Sequence, residues 1–128
     1  MDILLSIKPK YVERIINNDK KFEFRKAVPK KNFARVFIYS SAPEKKIVGM
    51  FTVKNILLGT PEDIWNKTKR KAGIAHDDYN LYFSDKKIAF ALEIDNLILF
   101  KTPIIPSDIW TDFKAPQSFC YIEGDLLL

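Results

Sequence analysis

The start of the chain changes from a strand pattern to a helix pattern. Residues 3–7 form a continuous apolar run, which is typical of a buried strand. Pro9 suits the first turn of a helix, and Val12 begins a series of apolar residues at helical spacing. Residues 17–19 include two asparagines, and asparagine tolerates the left-handed backbone conformation found at helix ends. A strand followed by a short helix is therefore predicted here.

The segment that follows alternates as a strand does. Phe22 and Phe24 are predicted to face the core, whereas Glu23 and Arg25 share the opposite face. Strict alternation would put Lys20 on the core face together with the two phenylalanines. We therefore expect Lys20 to lie in the turn between the helix and the strand, before the alternation begins.

The rest of the chain combines strand patterns with two helix patterns. Three features predict the start of a helix at Thr60. The Thr60 side chain can cap the helix, Pro61 suits the first helical position, and two acids follow in the first turn. The predicted strands cover residues 33–41, 46–57 with a bulge at Gly49, 87–101 and 118–122. Residues 87–101 form either one long strand or two with a bend near residues 95–96, and Pro103 and Pro106 end this segment. The predicted helices after the first cover residues 60–71, ended by Gly73, and 77–83, and residues 123–128 are read as a tail.

Mostly consecutive strands with few helices predict an α+β domain. We expect a single domain over residues 1–128, with a small β-barrel or strongly curved mixed sheet and two to three flanking helices. A hydrophobic content of 47% is sufficient for a packed core in a chain of 128 residues.

Positive charge is concentrated in the first part of the chain. The net charge is +5, and residues 1–50 carry +7 whereas residues 51–128 carry −2. A basic region suggests an anionic partner, and nucleic acid is the usual one. A solvated, lysine-rich surface explains the same numbers, and the charge alone favours that simpler interpretation.

Several function classes lack their sequence motifs. The chain has no P-loop, no glycine-rich dinucleotide motif, no zinc-protease motif and no hydrolase nucleophile motif. Its one cysteine, Cys120, lies in an apolar run and is predicted to be a buried, inert thiol. One histidine, His76, and one cysteine cannot form a structural zinc site, so we expect no metal and no cofactor.

The location of the protein is predicted from two further absences. No run reaches the roughly 18–20 apolar residues that a membrane span requires, and the first residues do not resemble a signal peptide. We therefore expect a cytoplasmic protein that has no membrane partner.

Glu23 and Arg25 are the first candidates for a binding site. As residues on one strand face they can form an exposed ion pair, which would stabilise the protein by at most ~1 kcal/mol. They can also line a pocket in which one acceptor and several cationic donors meet a nucleobase edge and a phosphate. The residue pattern alone favours the exposed ion pair.

Two other segments carry polar groups suited to ligands. Ser6 and Lys8 lie where a strand enters a helix, and free backbone N–H groups at such a point can bind an anion. Gln117 and Ser118 precede the last predicted strand and offer amide and hydroxyl groups. Ordinary turn polarity explains both segments equally well.

The order of these segments resembles a known family. Asn18-x-Lys20-x-x-Glu23-x-Arg25 resembles the G-x-K-x-x-E-x-R signature of ASCH domains, which belong to the PUA-like superfamily. Four further segments, at residues 4–11, 38–43, 46–49 and 115–121, resemble corresponding segments of this family, so the resemblance covers nearly the whole chain. The resemblance implies a small β-barrel-like fold with flanking helices and a cleft that binds RNA, often near modified bases. It also implies that Lys20, Glu23 and Arg25 line this cleft.

The chain departs from the family pattern at two positions. Asn18 replaces the signature glycine, and asparagine can still adopt a positive φ. Some relatives remove the acetyl group from acetylated cytidine with a threonine at the position of Glu23 and the lysine as its helper. Because Glu23 has no hydroxyl, it cannot form that acyl intermediate. A pair of Lys20 and Glu23 could still activate water.

Two functions are therefore carried forward. The first is an RNA- or nucleotide-binding module with a cationic cleft that recognises a modified base. Lys20 and Arg25 would meet phosphate or base acceptors, Glu23 would accept from an amine, and Tyr39 or Tyr121 would stack on bases. The alternative is a hydrolase that acts on a modified nucleoside or on RNA, with Lys20 and Glu23 as catalytic candidates. The sequence offers no specific support for a protein-interaction domain.

Overall fold

The computed structural model describes residues 1–123, so most of the predicted tail lies outside the described residues. Residues 1–123 contain six strands and three α-helices, with a 3₁₀ turn at Lys69–Lys71 and another at Pro106–Asp108. The strands are β1 Asp2–Ile7, β2 Phe22–Arg25, β3 Val36–Ser40, β4 Lys46–Gly59, β5 Ala89–Ile104 and β6 Phe119–Ile122. The helices are α1 Pro9–Ile16, α2 Pro61–Thr68 and α3 His76–Tyr82.

The strands form one mixed sheet in the order β2-β5-β4-β3-β1-β6. β1 runs parallel to β3, with Leu5 opposite Ile38, and antiparallel to β6. The other two pairs with a defined register, β2 with β5 and β3 with β4, are antiparallel. The predicted α+β class, with a mixed sheet and two to three flanking helices, is confirmed.

The chain forms two compact units. Among the described residues, the first unit contains Met1–Val12, Pro29–Thr52 and residues 96–123, and the second contains Glu13–Val28 and Val53–Asp95. The long strands β4 and β5 each contribute residues to both units.

The first unit is built on buried strands. All five residues of β3 are buried, and Leu4, Phe37, Tyr39 and Ile47 form the centre of an apolar cluster. The predicted bulge is confirmed, because Ile38 pairs with Gly49 and Tyr39 with Ile47, which leaves one extra residue in β4. A side chain at Gly49 would lie 2.5 Å from the carbonyl oxygen of Ile98, so close backbone approach requires glycine there.

The second unit packs helices against β2 and β5. Its buried cluster centres on the aromatic rings of Phe24, Tyr79 and Phe83, which meet edge to face. The helix start predicted for α2 is confirmed, since the Thr60 hydroxyl accepts from the backbone N–H of Asp63 at 3.1 Å.

Two predicted strand boundaries differ from the structure by three residues, and the others that differ do so by one or two. β3 begins at Val36 and not at residue 33, and β5 continues through Pro103 to Ile104 instead of ending before it. No helix within residues 1–123 is long and apolar enough to cross a membrane.

Candidate functional site

The turn between α1 and β2 sets the position of Lys20. Asn18 takes a positive φ of 64°, as predicted for the end of the helix. The backbone N–H groups of Asp19 and Lys20 both donate to the carbonyl oxygen of Arg14, at 2.9 and 3.0 Å. Lys20 therefore lies in the turn before β2, which confirms its predicted place, and its side chain points into the second unit.

The Lys20 side chain is buried, with only 3% of the residue exposed. Its Nζ donates to the carbonyl oxygen of Ala72 at 2.9 Å and lies 3.7 Å from Glu23 Oε1. The same nitrogen is 4.7 Å from the centre of the Phe24 ring, a cation–π distance. A buried ammonium needs partners of this kind, because an unpaired charge is costly to remove from water.

Glu23 and Arg25 form a second buried pair. Arg25 Nη2 donates to Glu23 Oε2 at 2.8 Å, and the two residues are only 5% and 9% exposed. The interpretation as an exposed ion pair is therefore wrong. Lys20, Glu23 and Arg25, here called the Lys20 cluster, thus bring two cations to the two oxygens of one carboxylate.

Burial changes the protonation of Lys20. Desolvation lowers the pKa of its ammonium below the ordinary 10.5, and the positive charge of Arg25 acts in the same direction. The Glu23 carboxylate opposes the shift. Lys20 consequently loses its proton at a lower pH than an exposed lysine does.

A second turn, at residues 69–74, holds the first. Three groups donate to its backbone carbonyls: Lys20 Nζ to Ala72, Arg14 Nη1 to Gly73, and the Lys21 N–H to Lys71. In the fourth bond, Lys71 Nζ donates to the carbonyl oxygen of Asn18 at 3.0 Å. These four bonds tie the α1–β2 turn to the end of the 3₁₀ turn.

Gly73 is required at the centre of this contact for two reasons. Its φ of 64° is a conformation that side chains disfavour. A Cβ at this position would also lie 2.6 Å from Lys20 Cγ and closer still to Lys20 Cβ. The sequence indicated Gly73 only as a helix stop, because spacing along the chain does not reveal that Lys20 packs on it.

Tyr82 is a neighbour of the cluster that the sequence patterns missed. Burial raises the pKa of its hydroxyl, whereas the charge of Arg25 and the backbone N–H of Lys26 act in the opposite direction. Lys26 Nζ lies 4.5 Å from the centre of the Tyr82 ring. Tyr82 is 36% exposed, so one side of the cluster is bordered by a tyrosine at the surface.

The remaining predicted site residues belong to the first unit. The Ser6 hydroxyl donates to the carbonyl oxygen of Pro116 at 2.7 Å, and the Ser6 N–H donates to that of Ser118 at 2.9 Å. These bonds bring Ser6 and Ser118 together and place Gln117 between the two acceptors. Lys8 and Gln117 are exposed.

The two tyrosines proposed for base stacking are engaged within the first unit. Tyr39 is 4% exposed, contacts Phe113 at a ring distance of 5.5 Å and lines a cavity of about 430 Å³. The Tyr121 hydroxyl accepts from the Lys31 N–H at 3.0 Å. Cys120 is half-buried, less so than predicted, and burial raises the pKa of its thiol. Residues 1–123 hold no group of three or more His, Cys, Asp or Glu side chains arranged for a metal ion.

Replacing Gly73 by alanine tests the packing beneath Lys20. We expect Gly73→Ala to lower the free energy of unfolding by more than about 2 kcal/mol, since the positive φ alone costs about 1–2 kcal/mol and the new Cβ displaces Lys20. Gly59→Ala is the matched control in the same unit, because its Cβ would meet nothing closer than 3.5 Å. Urea unfolding of both variants measures the effect, and equal stabilities would contradict this role for Gly73.

Comparison with known proteins agrees with the ASCH resemblance. The family described as "Domain of unknown function (DUF365)" matches residues 1–111. An ASCH domain-containing ribonuclease of Zymomonas mobilis is 27% identical over 131 residues, covering 97% of this chain and 86% of that protein. A large ribosomal subunit protein uL22 of Ureaplasma parvum is 28% identical over 94% of this chain, which spans only 39% of that protein.

Solved structures show the same fold. The crystal structure of ASCH from Zymomonas mobilis superimposes with a TM-score of 0.89 over 98% of this chain and 90% of its own, at 24% identity. A tyrosine-to-phenylalanine variant of the same protein gives the same TM-score at 23% identity. The fold is therefore that of the ASCH structures, as predicted. The similarity to the Zymomonas protein supports the predicted ASCH domain. Because the family match covers most of its length, the chain belongs to the DUF365 family.

Proposed function

We propose that this chain is an RNA-binding ASCH module in which the Lys20 cluster recognises part of the bound RNA. The observation that carries the proposal is the burial of two cations and one carboxylate in a single cluster. The similarity of nearly the whole chain to a protein named as an ASCH domain-containing ribonuclease supports RNA as the partner.

The chemistry of the cluster suits a nucleobase edge beside a phosphate. Arg25 and Lys20 are donors only, whereas the Glu23 carboxylate is an acceptor only. A carboxylate has about four lone-pair sites, and the two ion pairs of Glu23 direct one oxygen to each cation. Glu23 can therefore accept from an exocyclic amine while Arg25 keeps it in place. We also propose that the Lys20 cluster binds a modified base in preference to an unmodified one.

Access to the cluster runs past its most exposed members. The Arg25 side chain is 11% exposed, compared with 2% for the side chain of Lys20 and 7% for that of Glu23. Tyr82 and Lys26 lie beside it at the surface. We expect an RNA phosphate to meet Lys26 and Arg25 first, and a base to enter as the Tyr82 ring moves aside.

The first unit offers separate candidate contacts. Lys8 and Gln117 are exposed and can donate to phosphate or to base acceptors. Ser6 and Ser118 fix the backbone on either side of Gln117. A cytoplasmic location remains part of the proposal.

Hydrolysis of RNA is the second candidate, and the lowered pKa of Lys20 favours it. A lysine in its neutral form can accept the proton of a ribose 2′-hydroxyl, and a lowered pKa makes that form accessible at a lower pH. The 2′-oxygen would form its bond to phosphorus as the bond to the 5′-oxygen breaks, and solvent would protonate the leaving oxygen. The name of the Zymomonas relative supports this reaction class.

Glu23→Gln tests recognition by the cluster. We expect this variant to bind a single-stranded oligoribonucleotide about tenfold more weakly at low salt, because an amide replaces a charged hydrogen-bond acceptor, an interaction of about 1.5–3 kcal/mol. Fluorescence anisotropy with a labelled oligonucleotide measures the affinity.

Asp19→Asn is the matched control, since it removes one negative charge from an exposed residue of the adjacent turn. Nonspecific attraction would make both variants bind slightly more tightly, because both become more positive. Equal or tighter binding by Glu23→Gln would therefore contradict recognition by the cluster.

Lys20→Met tests hydrolysis separately from binding. We expect the parent protein to cleave RNA faster as the pH rises through the lowered pKa of Lys20, since only the neutral amine accepts a proton. The variant should retain RNA binding and lose cleavage, as measured on gels of end-labelled RNA. Cleavage at the parental rate by Lys20→Met, or a rate that does not change with pH, would exclude Lys20 as the base.

A further inference from the structure

Two aromatic rings of the second unit stack at its surface. Trp65 of α2 and His76 of α3 have ring centres 4.3 Å apart and planes inclined by only 2°. Trp65 is half-buried and also contacts Tyr79 at 4.8 Å, so its ring is anchored to the apolar cluster. His76 is exposed, and the stack therefore extends from the core to solvent.

The stacked rings border a cavity of about 720 Å³, here called the Trp65 cavity. This volume lies within the range of ligand pockets, about 300–1,000 Å³. Its lining comes entirely from the second unit and combines aromatic, amide and cationic groups. The lining residues are Thr60, Pro61, Glu62, Trp65, Asn66, His76, Asn80, Lys86 and Lys87.

Packing between α2 and α3 explains the position of the Trp65 ring but not the polar side chains around the cavity. The Trp65 ring meets Tyr79 of α3. Asn66, Asn80, Lys86 and Lys87 are all exposed, and in residues 1–123 their side chains make no hydrogen bond or ion pair. Two amides and two ammonium groups are thus available beside a flat aromatic surface.

We propose that the Trp65 cavity binds an unstacked base of single-stranded RNA, at a site separate from the Lys20 cluster. The base stacks on the Trp65–His76 pair, as bases do on aromatic side chains. Asn66 and Asn80 carry both donors and acceptors, which suits the edge of a base. Lys86 and Lys87 meet the flanking phosphates, and Glu62 is the one acid in the lining. The choice of RNA as the ligand rests on the proposed function.

Substitutions at His76 test the stack. We expect His76→Ala to weaken binding of a labelled oligoadenylate about tenfold at low salt, since stacking on one aromatic side chain is worth ~1–3 kcal/mol per base. His76→Phe should retain most of the affinity, because it preserves the flat ring. Circular dichroism confirms that each variant is folded.

The two lysines test the phosphate contacts. The double variant Lys86→Gln/Lys87→Gln should weaken binding. It should also reduce the magnitude of the slope of log affinity against log salt concentration by roughly 1.4, because each phosphate contact on a single strand contributes ~0.7. Lys54→Gln is the control, because Lys54 is an exposed lysine of the same unit outside the lining. Its affinity should stay close to that of the parent.

The outcomes separate this inference from the proposed function. Weaker binding by His76→Ala, with affinity retained in His76→Phe, supports the site. If the parent binds and His76→Ala binds equally well, the Trp65 cavity is not a base site, although the proposal for the Lys20 cluster still stands. If His76→Ala weakens binding and Glu23→Gln does not, the cluster proposal fails and this one stands. A parent protein that binds no RNA overturns both.

Discussion

The burial of one ammonium group constrains much of the second unit. Lys20 Nζ is removed from water, so a carbonyl, a carboxylate and an aromatic ring must all lie close to it. The carbonyl belongs to Ala72, which fixes the turn at residues 69–74, and the space beside the lysine stem exists only because residue 73 has no Cβ. The carboxylate of Glu23 in turn holds Arg25 at 2.8 Å. The free energy cost of burying Lys20 thus explains why two turns far apart in sequence are tied by four hydrogen bonds.

Local physics made much of the fold predictable. The Thr60 cap, the positive φ of Asn18 and the bulge beside Gly49 each follow from the chemistry of one or two residues. The turn position of Lys20 follows from the start of the alternation at Phe22. The extension of β5 through Pro103 could not be predicted in this way, because proline is tolerated in a strand wherever the ladder needs no donor.

The sequence predicted the three residues of the Lys20 cluster but not the residues that bury them. Alternation assigns Glu23 and Arg25 to one face of β2, yet it cannot tell what covers that face. Their burial depends on residues remote in sequence, among them Tyr82, and on the turn around Gly73. The same limit applies to Trp65 and His76, since only the packing of α2 on α3 makes their rings parallel. The family resemblance supplied the link between the charge pattern and an ASCH fold, which the residue pattern alone did not provide.

A pH titration of Lys20 tests whether its ammonium group is buried and whether it contacts RNA. Lysine-selective NMR follows its side-chain signal, which is assigned by its absence in Lys20→Met. We expect a midpoint below the ordinary 10.5 and a change in the signal when an oligoribonucleotide is added. A midpoint equal to that of the exposed lysines, with no response to RNA, would contradict both the buried cluster and its proposed role.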